Sequence, residues 1–221
     1  MQLQHKPATS IIICDTQNDI TNAMPSPVQH ERICNDLVNQ GWSVVDNFFD
    51  PELTRLLANE CRQLATAGKF SPAGIGRAEH RTIDNVIRGD QIGWLEAGMA
   101  PGVDRFLGHI EELRIFFNRQ LFLGLEDVEN HFAVYPKGAF YQKHLDRFQH
   151  SDSRVISSVL YLNQNWQSEH GGQLRLHLDD GVEDIEPIAN RLVLFISAQI
   201  VHEVLPTEVE RLSLTGWFRR H

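Results

Sequence analysis

The sequence predicts an α+β fold in which two or three N-terminal helices brace a β-rich C-terminal half arranged as a sandwich or jelly roll. In the first half, apolar residues recur at spacings of three and four, the period of a helix with one buried face. From residue 131 onward, short runs rich in β-branched and aromatic residues replace that period. Turn segments such as Gly171-Gly172 and Asp179-Asp180-Gly181 separate them, and many short strands so divided suggest a sandwich or jelly roll.

Residues 1–27 read as an irregular arm, with Pro25 and Pro27 and no sustained period. Residues 28–40 read as a helix that stops before Gly41, and 42–49 alternate well enough for a strand. Asp50-Pro51-Glu52 is a helix start: an N-cap acid, then proline at the first helical position. Leu53, Leu56, Leu57, Cys61 and Leu64 share one face of that helix, and Gly68 closes it. A further amphipathic helix carries Val103, Phe106, Leu107, Ile110, Leu113 and Phe117. Strands are expected at 131–135, 155–162, 173–178, 192–196, 201–205 and 212–218. No internal repeat or domain boundary is evident. Residues 28–221 are therefore expected to form one domain, with helical support over about 28–125 and the strands over about 131–219.

With 221 residues, 42% hydrophobic and 22% charged, the composition is that of an ordinary globular protein. No apolar run approaches the ~20 residues that span a bilayer. Ile11-Ile12-Ile13-Cys14 is too short for a signal-peptide core, so a cytoplasmic location without a membrane partner is expected. Cys14, Cys34 and Cys61, odd in number and widely spaced, argue against a disulfide framework and a zinc cluster. A net charge of −9 disfavours nucleic acid as the main partner. Oligomeric state is not legible.

A non-haem Fe(II) site needs two imidazoles and a carboxylate on one face of the metal. In sequence this often appears as His-x-Asp/Glu with a distant histidine. Eleven histidines and 29 acids among 221 residues would give roughly one or two such pairs by chance. Four occur, so context must choose between them. His109/Glu111 lies inside the amphipathic helix, where i and i+2 point apart. His177/Asp179 is too close to His202 for strands to intervene, and His150/Asp152 sits in a polar loop. His144/Asp146 follows a strand and a glycine-containing turn, and leaves room for four short strands before His202. Arg211 decides the choice. It falls on the strand after His202, where strand, turn and strand return it to the metal. A dianionic cosubstrate needs such a permanently charged, two-pronged donor. Tyr135 and Tyr161 offer phenolic hydrogen bonds to the same carboxylate, or are core aromatics with satisfied hydroxyls. Thr215 shares the strand parity of Arg211.

His144-x-Asp146, His202 and Arg211 match the 2-oxoglutarate oxygenase pattern. More specifically, the chain resembles the oxygen-sensing (hypoxia-inducible factor) prolyl hydroxylases of animals and their bacterial relatives, from about Gly41 to Phe218. The resemblance is carried by Trp42-Ser43-Val44-Val45-Asp46-Asn47-Phe48, Ala67-Gly68-Lys69-Phe70, Ile87-Arg88-Gly89-Asp90, Tyr161-Leu162-Asn163, Gly171-Gly172-Gln173-Leu174-Arg175 and His202-Glu203-Val204. It implies a double-stranded β-helix (jelly roll) core and Fe(II) on His144, Asp146 and His202. It also implies 2-oxoglutarate as cosubstrate, O2, and ascorbate to keep the iron reduced. The implied reaction is hydroxylation at C4 of a prolyl residue in a protein, with succinate and CO2 as coproducts. Elongation factor Tu is the first candidate substrate, by resemblance to the bacterial members. Ser213 departs from the animal pattern; the Arg-x-Ser order of other branches leaves its contact with the cosubstrate open. Two other readings compete: a 2-oxoglutarate oxygenase acting on another residue or a small molecule, and a cupin-like metal-binding sensor without turnover.

The stretch from about residue 72 to 91 has a lid's composition, rich in small and turn residues and held at both ends. Arg88 and Asp90 read as a loop ion pair worth under about 1 kcal/mol. The resemblance instead places them on a loop that covers the peptide substrate. When this segment closes over substrate, Asp90 is expected to need a cationic partner, and Arg154 is the candidate.

Overall fold

In the computed structural model, residues 27–74, 87–146 and 153–221 are described. The expected arm at 1–27, Pro27 excepted, and the centre of the expected lid lie outside the described residues. Three helices come first in space, stacked on one face of a sheet. Helix α1 (Pro27–Asn39) buries Ile33, Cys34 and Leu37. Helix α2 (Pro51–Thr66) starts as its sequence predicts, with the Asp50 carboxylate accepting from the Glu52 N–H at 3.0 Å. Helix α3 (Pro101–Leu121) has no side-chain cap of its own. Buried Glu60 of α2 supplies one, accepting from Gly102 N at 2.8 Å and Val103 N at 3.1 Å. A Cβ on Gly102 would lie 2.6 Å from that carboxylate, so glycine permits the approach. None of the described helices is long and apolar enough to cross a membrane.

The strands are β1 (Trp42–Val45), β2 (Ser71–Pro72), β3 (Gln91–Trp94), β4 (Asp127–Tyr135), β5 (Tyr141–His144), β6 (Arg154–Tyr161), β7 (Leu174–Leu178), β8 (Gly181–Ile185), β9 (Leu192–Ile196), β10 (Val201–Val204) and β11 (Arg211–Arg219). They form a seven-stranded sheet in the order β1-β9-β6-β11-β4-β3-β2 and a four-stranded sheet in the order β5-β10-β7-β8. All named pairs are antiparallel. The expected jelly roll is the observed architecture.

The first strand is shorter than the expected 42–49. Asn47 takes a positive φ of 53°, and the Asn190 carbonyl and amide then bind the backbone of Phe48 and Phe49. This turns both rings into the helix side, edge-to-face at 4.8 Å. Strands β2, β3, β5 and β8 were not expected. Along β11, strict alternation separates two cores: Leu212, Leu214 and Phe218 pack with the helices, while Arg211, Ser213, Thr215 and Trp217 face the other way into a cavity.

Candidate active site

Between the sheets lies a cavity of about 580 Å³. The register of β10 on β5 sets His202 directly opposite His144, and Asp146 follows just past the end of β5. One ligand atom from each of the three lies within 4.8 Å of the others. His144 Nε2 is 3.6 Å from Asp146 Oδ1, and His202 Nε2 is 3.7 Å from Oδ2. Each histidine turns Nδ1 to a backbone carbonyl: Gln142 O at 2.7 Å and Ile200 O at 3.1 Å. An Nδ1–H donated there leaves the Nε2 lone pair bare, the tautomer a metal requires. The Ser157 hydroxyl donates to Asp146 Oδ2 at 2.7 Å, and Ser197 lies 2.8 Å from Ser157.

Charge is set to match. Burial alone would raise the Asp146 pKa, but His202 and His144 beside it hold it well below the usual carboxylate range. Burial pushes His202 down to about 4 against the pull of Asp146. At neutral pH the trio offers one carboxylate and a neutral His202 imidazole, and the donor set fits a divalent iron. Among the described residues it is the one such cluster.

Two of the three competing motifs go elsewhere. His109 is buried on α3, its ring 5.4 Å from Phe49, while Glu111 pairs with Arg114. His177 sits between Lys143 and Glu203. His150 and Asp152 lie outside the described residues.

Arg211 is 1% exposed. It stands opposite Tyr135 in the β11–β4 register. Its Nε donates to Gly172 O at 2.8 Å and one terminal nitrogen lies 3.4 Å from Ser213 Oγ. Its guanidinium carbon is 4.9 Å from the Tyr135 ring centroid and 5.1 Å from that of Tyr161. Among the described residues no carboxylate pairs with it. A buried cation without an acid calls for an anion from outside the chain. Tyr135, Ser213 and Thr215 line the cavity with Arg211. Tyr161 is fully buried beside them; among the described residues its hydroxyl makes no well-formed hydrogen bond, only a looser contact with the Arg211 guanidinium. Burial raises both phenol pKa values, so each remains a neutral donor.

Arg88 and Asp90 are found paired with each other and buried. Asp90 takes Arg88 as its partner, with contacts of 2.8 and 2.6 Å, and not Arg154. Arg154 instead binds Glu129 and lies 3.5 Å over the Trp217 ring. The Arg88–Asp90 pair is also no solvated loop contact, since the two side chains are 11% and 0% exposed.

Ser157 and Tyr141 escaped the sequence reading. A pair of serines in the apolar run 155–162 was the available signal for Ser157, because a buried hydroxyl needs a partner. His131 also lines the cavity, stacked on Trp217 at 5.3 Å and tilted against Trp94 at 5.0 Å.

The profile of the 2OG-Fe(II) oxygenase superfamily matches residues 130–219, which include the triad and Arg211. A Pseudomonas putida prolyl-4-hydroxylase structure superposes with a TM-score of 0.82 at 49% identity, over 87% of this chain and 100% of that one. A prolyl hydroxylase from Trichoplax adhaerens, in complex with a hypoxia-inducible factor peptide fragment, gives 0.79 at 28% identity over 87% and 89%. The hypoxia-inducible factor prolyl hydroxylase of Caenorhabditis elegans is 32% identical over 201 residues, 85% of this chain but 28% of that protein's length. The chain belongs to the 2OG-Fe(II) oxygenase superfamily and, within it, to the prolyl hydroxylases.

Proposed function

We propose that this protein hydroxylates a prolyl residue, at C4, in a protein substrate, with Fe(II) on His144, Asp146 and His202 and 2-oxoglutarate anchored by Arg211. One observation carries the reading: a two-imidazole, one-carboxylate cluster shares a cavity with a buried arginine that has no acid partner among the described residues. When bound, iron and 2-oxoglutarate supply the oxidation: O2 is consumed, the keto acid leaves as succinate and CO2, and one oxygen atom enters a substrate C–H bond.

The chain's own residues bind, orient and shield. Arg211 meets the far carboxylate of the cosubstrate, and the Tyr161 hydroxyl, without a well-formed hydrogen bond among the described residues, supplies a further donor. Ser213 and Thr215 add hydroxyls along the same face, and Tyr135 covers the guanidinium. Val159, Leu174 and Phe195 give the same cavity part of its apolar lining. Ser157 and the two backbone carbonyls hold the three ligands in place before a metal arrives. The cavity wall formed by Trp94, His131, Arg154 and Trp217 suits a peptide, and relatives that act on protein prolines support a protein substrate. Elongation factor Tu is the first candidate.

Alanine at His144, Asp146 or His202 should abolish both metal binding and 2-oxoglutarate turnover, because an open facial site does not hold iron on two ligands. His150→Ala should leave both intact. Loss of activity in His150→Ala with retention in His144→Ala would refute the assignment.

A further inference from the structure

His144 is the less enclosed of the two histidines. It ends β5, an edge strand paired within its sheet only to β10. The other side of β5 is covered by residues 87–89. Gly89 N donates to Phe140 O at 3.1 Å and Gln142 N donates to Ile87 O at 2.9 Å. A Cβ on Gly89 would sit 3.2 Å from that of Ala139, so glycine allows this close approach. The Gln142 carbonyl, on the strand so fixed, is the group that receives His144 Nδ1.

Side chains repeat the link. The Tyr141 ring stacks on His144 with centroids 3.7 Å apart and planes 20° apart. The Arg88 guanidinium carbon lies over the same Tyr141 ring, 4.2 Å from its centroid. An imidazole and a guanidinium at these separations cannot share one face, so Tyr141 is held between them. Arg88 is in turn fixed by both carboxylate oxygens of Asp90. His202 has no such chain; its ring packs on Phe195, inside the sheet sandwich.

We infer that Tyr141 is a positioning residue that couples the Arg88–Asp90 pair to His144, so that the segment 87–90 sets metal affinity and geometry at the site. Arg88 also lines the cavity. A peptide that contacts it therefore shifts metal affinity, and by linkage the metal shifts the peptide's affinity by the same factor. The inference rests on the reading of His144 as a metal ligand.

Co(II) is the probe, titrated anaerobically into the full chain and followed by its visible absorption bands. Tyr141→Leu and Arg88→Gln should each weaken Co(II) binding on the order of tenfold and alter the bands, the usual scale for a residue that orients a ligand. Tyr141→Phe keeps the ring and should match wild type, which a general loss of fold would not allow. The double variant Tyr141→Leu/Arg88→Gln should bind no more weakly than Tyr141→Leu alone, because both act through one stack. Unchanged affinity and bands in the two single variants, or losses that multiply in the double, would overturn the coupling. If Tyr141→Leu does not fold, Arg88→Gln against wild type decides alone. Wild-type Co(II) binding that survives His144→Ala would instead overturn the site reading, and the coupling with it.

Discussion

Replacing Arg211 by alanine removes the one buried cation that the cavity holds without an acid partner among the described residues. Of its five N–H groups, one is spent on Gly172 O and another is weakly engaged by Ser213 at 3.4 Å. Its remaining donors can grip a carboxylate in the two-pronged manner of guanidinium groups. Losing a charge-assisted pair costs about 1.5–3 kcal/mol, roughly one to two powers of ten in the dissociation constant of 2-oxoglutarate. Lysine should recover only part of this, since a point charge replaces a fork. The assay is calorimetric titration of 2-oxoglutarate into Mn(II)-loaded protein without oxygen, alongside Mn(II) affinity and thermal stability. Arg211→Ala should weaken 2-oxoglutarate binding while Mn(II) binding stays within a few-fold of wild type. A 2-oxoglutarate affinity unchanged in Arg211→Ala would remove the argument for this cosubstrate.

Two further outcomes follow from buried charge. Asp90→Ala strands Arg88 and should cost about 3 kcal/mol, the low end for breaking a buried pair because Arg88 lines the cavity. At roughly 2–4 °C per kcal/mol for a chain of this size, the melting temperature should drop by about 6–12 °C; a change near zero would mean the pair behaves as a surface contact. Burial pushes His131 down to about 3, and its Nδ1 has no hydrogen-bond partner among the described residues. Between that value and about 6.5 the unfolded chain binds a proton that the folded chain refuses, so stability falls as pH falls through this window. Metal-free His131→Leu should lose less stability than wild type between pH 7 and pH 5, by thermal melts; equal losses would refute this.

Much of the fold was legible where one period dominates. The helices around Leu53–Leu64 and Val103–Phe117 and the apolar strands β6, β9 and β11 bury one or both faces and announce it. The missed strands do not. β5 reads Tyr-Gln-Lys-His with no buried residue, and β8 is an exposed, charged edge with only Ile185 buried. Their pairing is imposed by neighbours, which local pattern does not record. The same distinction holds at the site. His144, Asp146, His202 and Arg211 stand out as chemistry at a recognisable spacing. Ser157 and Tyr141 act through contacts between strands distant in sequence, and their residue types are common in sheets. The Asp90 partner was illegible for a related reason: here Asp90 pairs with Arg88, two residues away, while Arg154 bonds Glu129 and lies over the Trp217 ring.

The most direct test of prolyl hydroxylation is peptide mass spectrometry of elongation factor Tu, and of whole-lysate proteins, after incubation with this protein, Fe(II) and 2-oxoglutarate. The expected result is the gain of one oxygen atom on a defined prolyl residue, identified as 4-hydroxyproline by amino-acid analysis. It should require both Fe(II) and 2-oxoglutarate, be matched by succinate, and vanish with His144→Ala. Oxygen placed on a residue other than proline, or succinate formed with a small molecule as the only hydroxylated product, would contradict it.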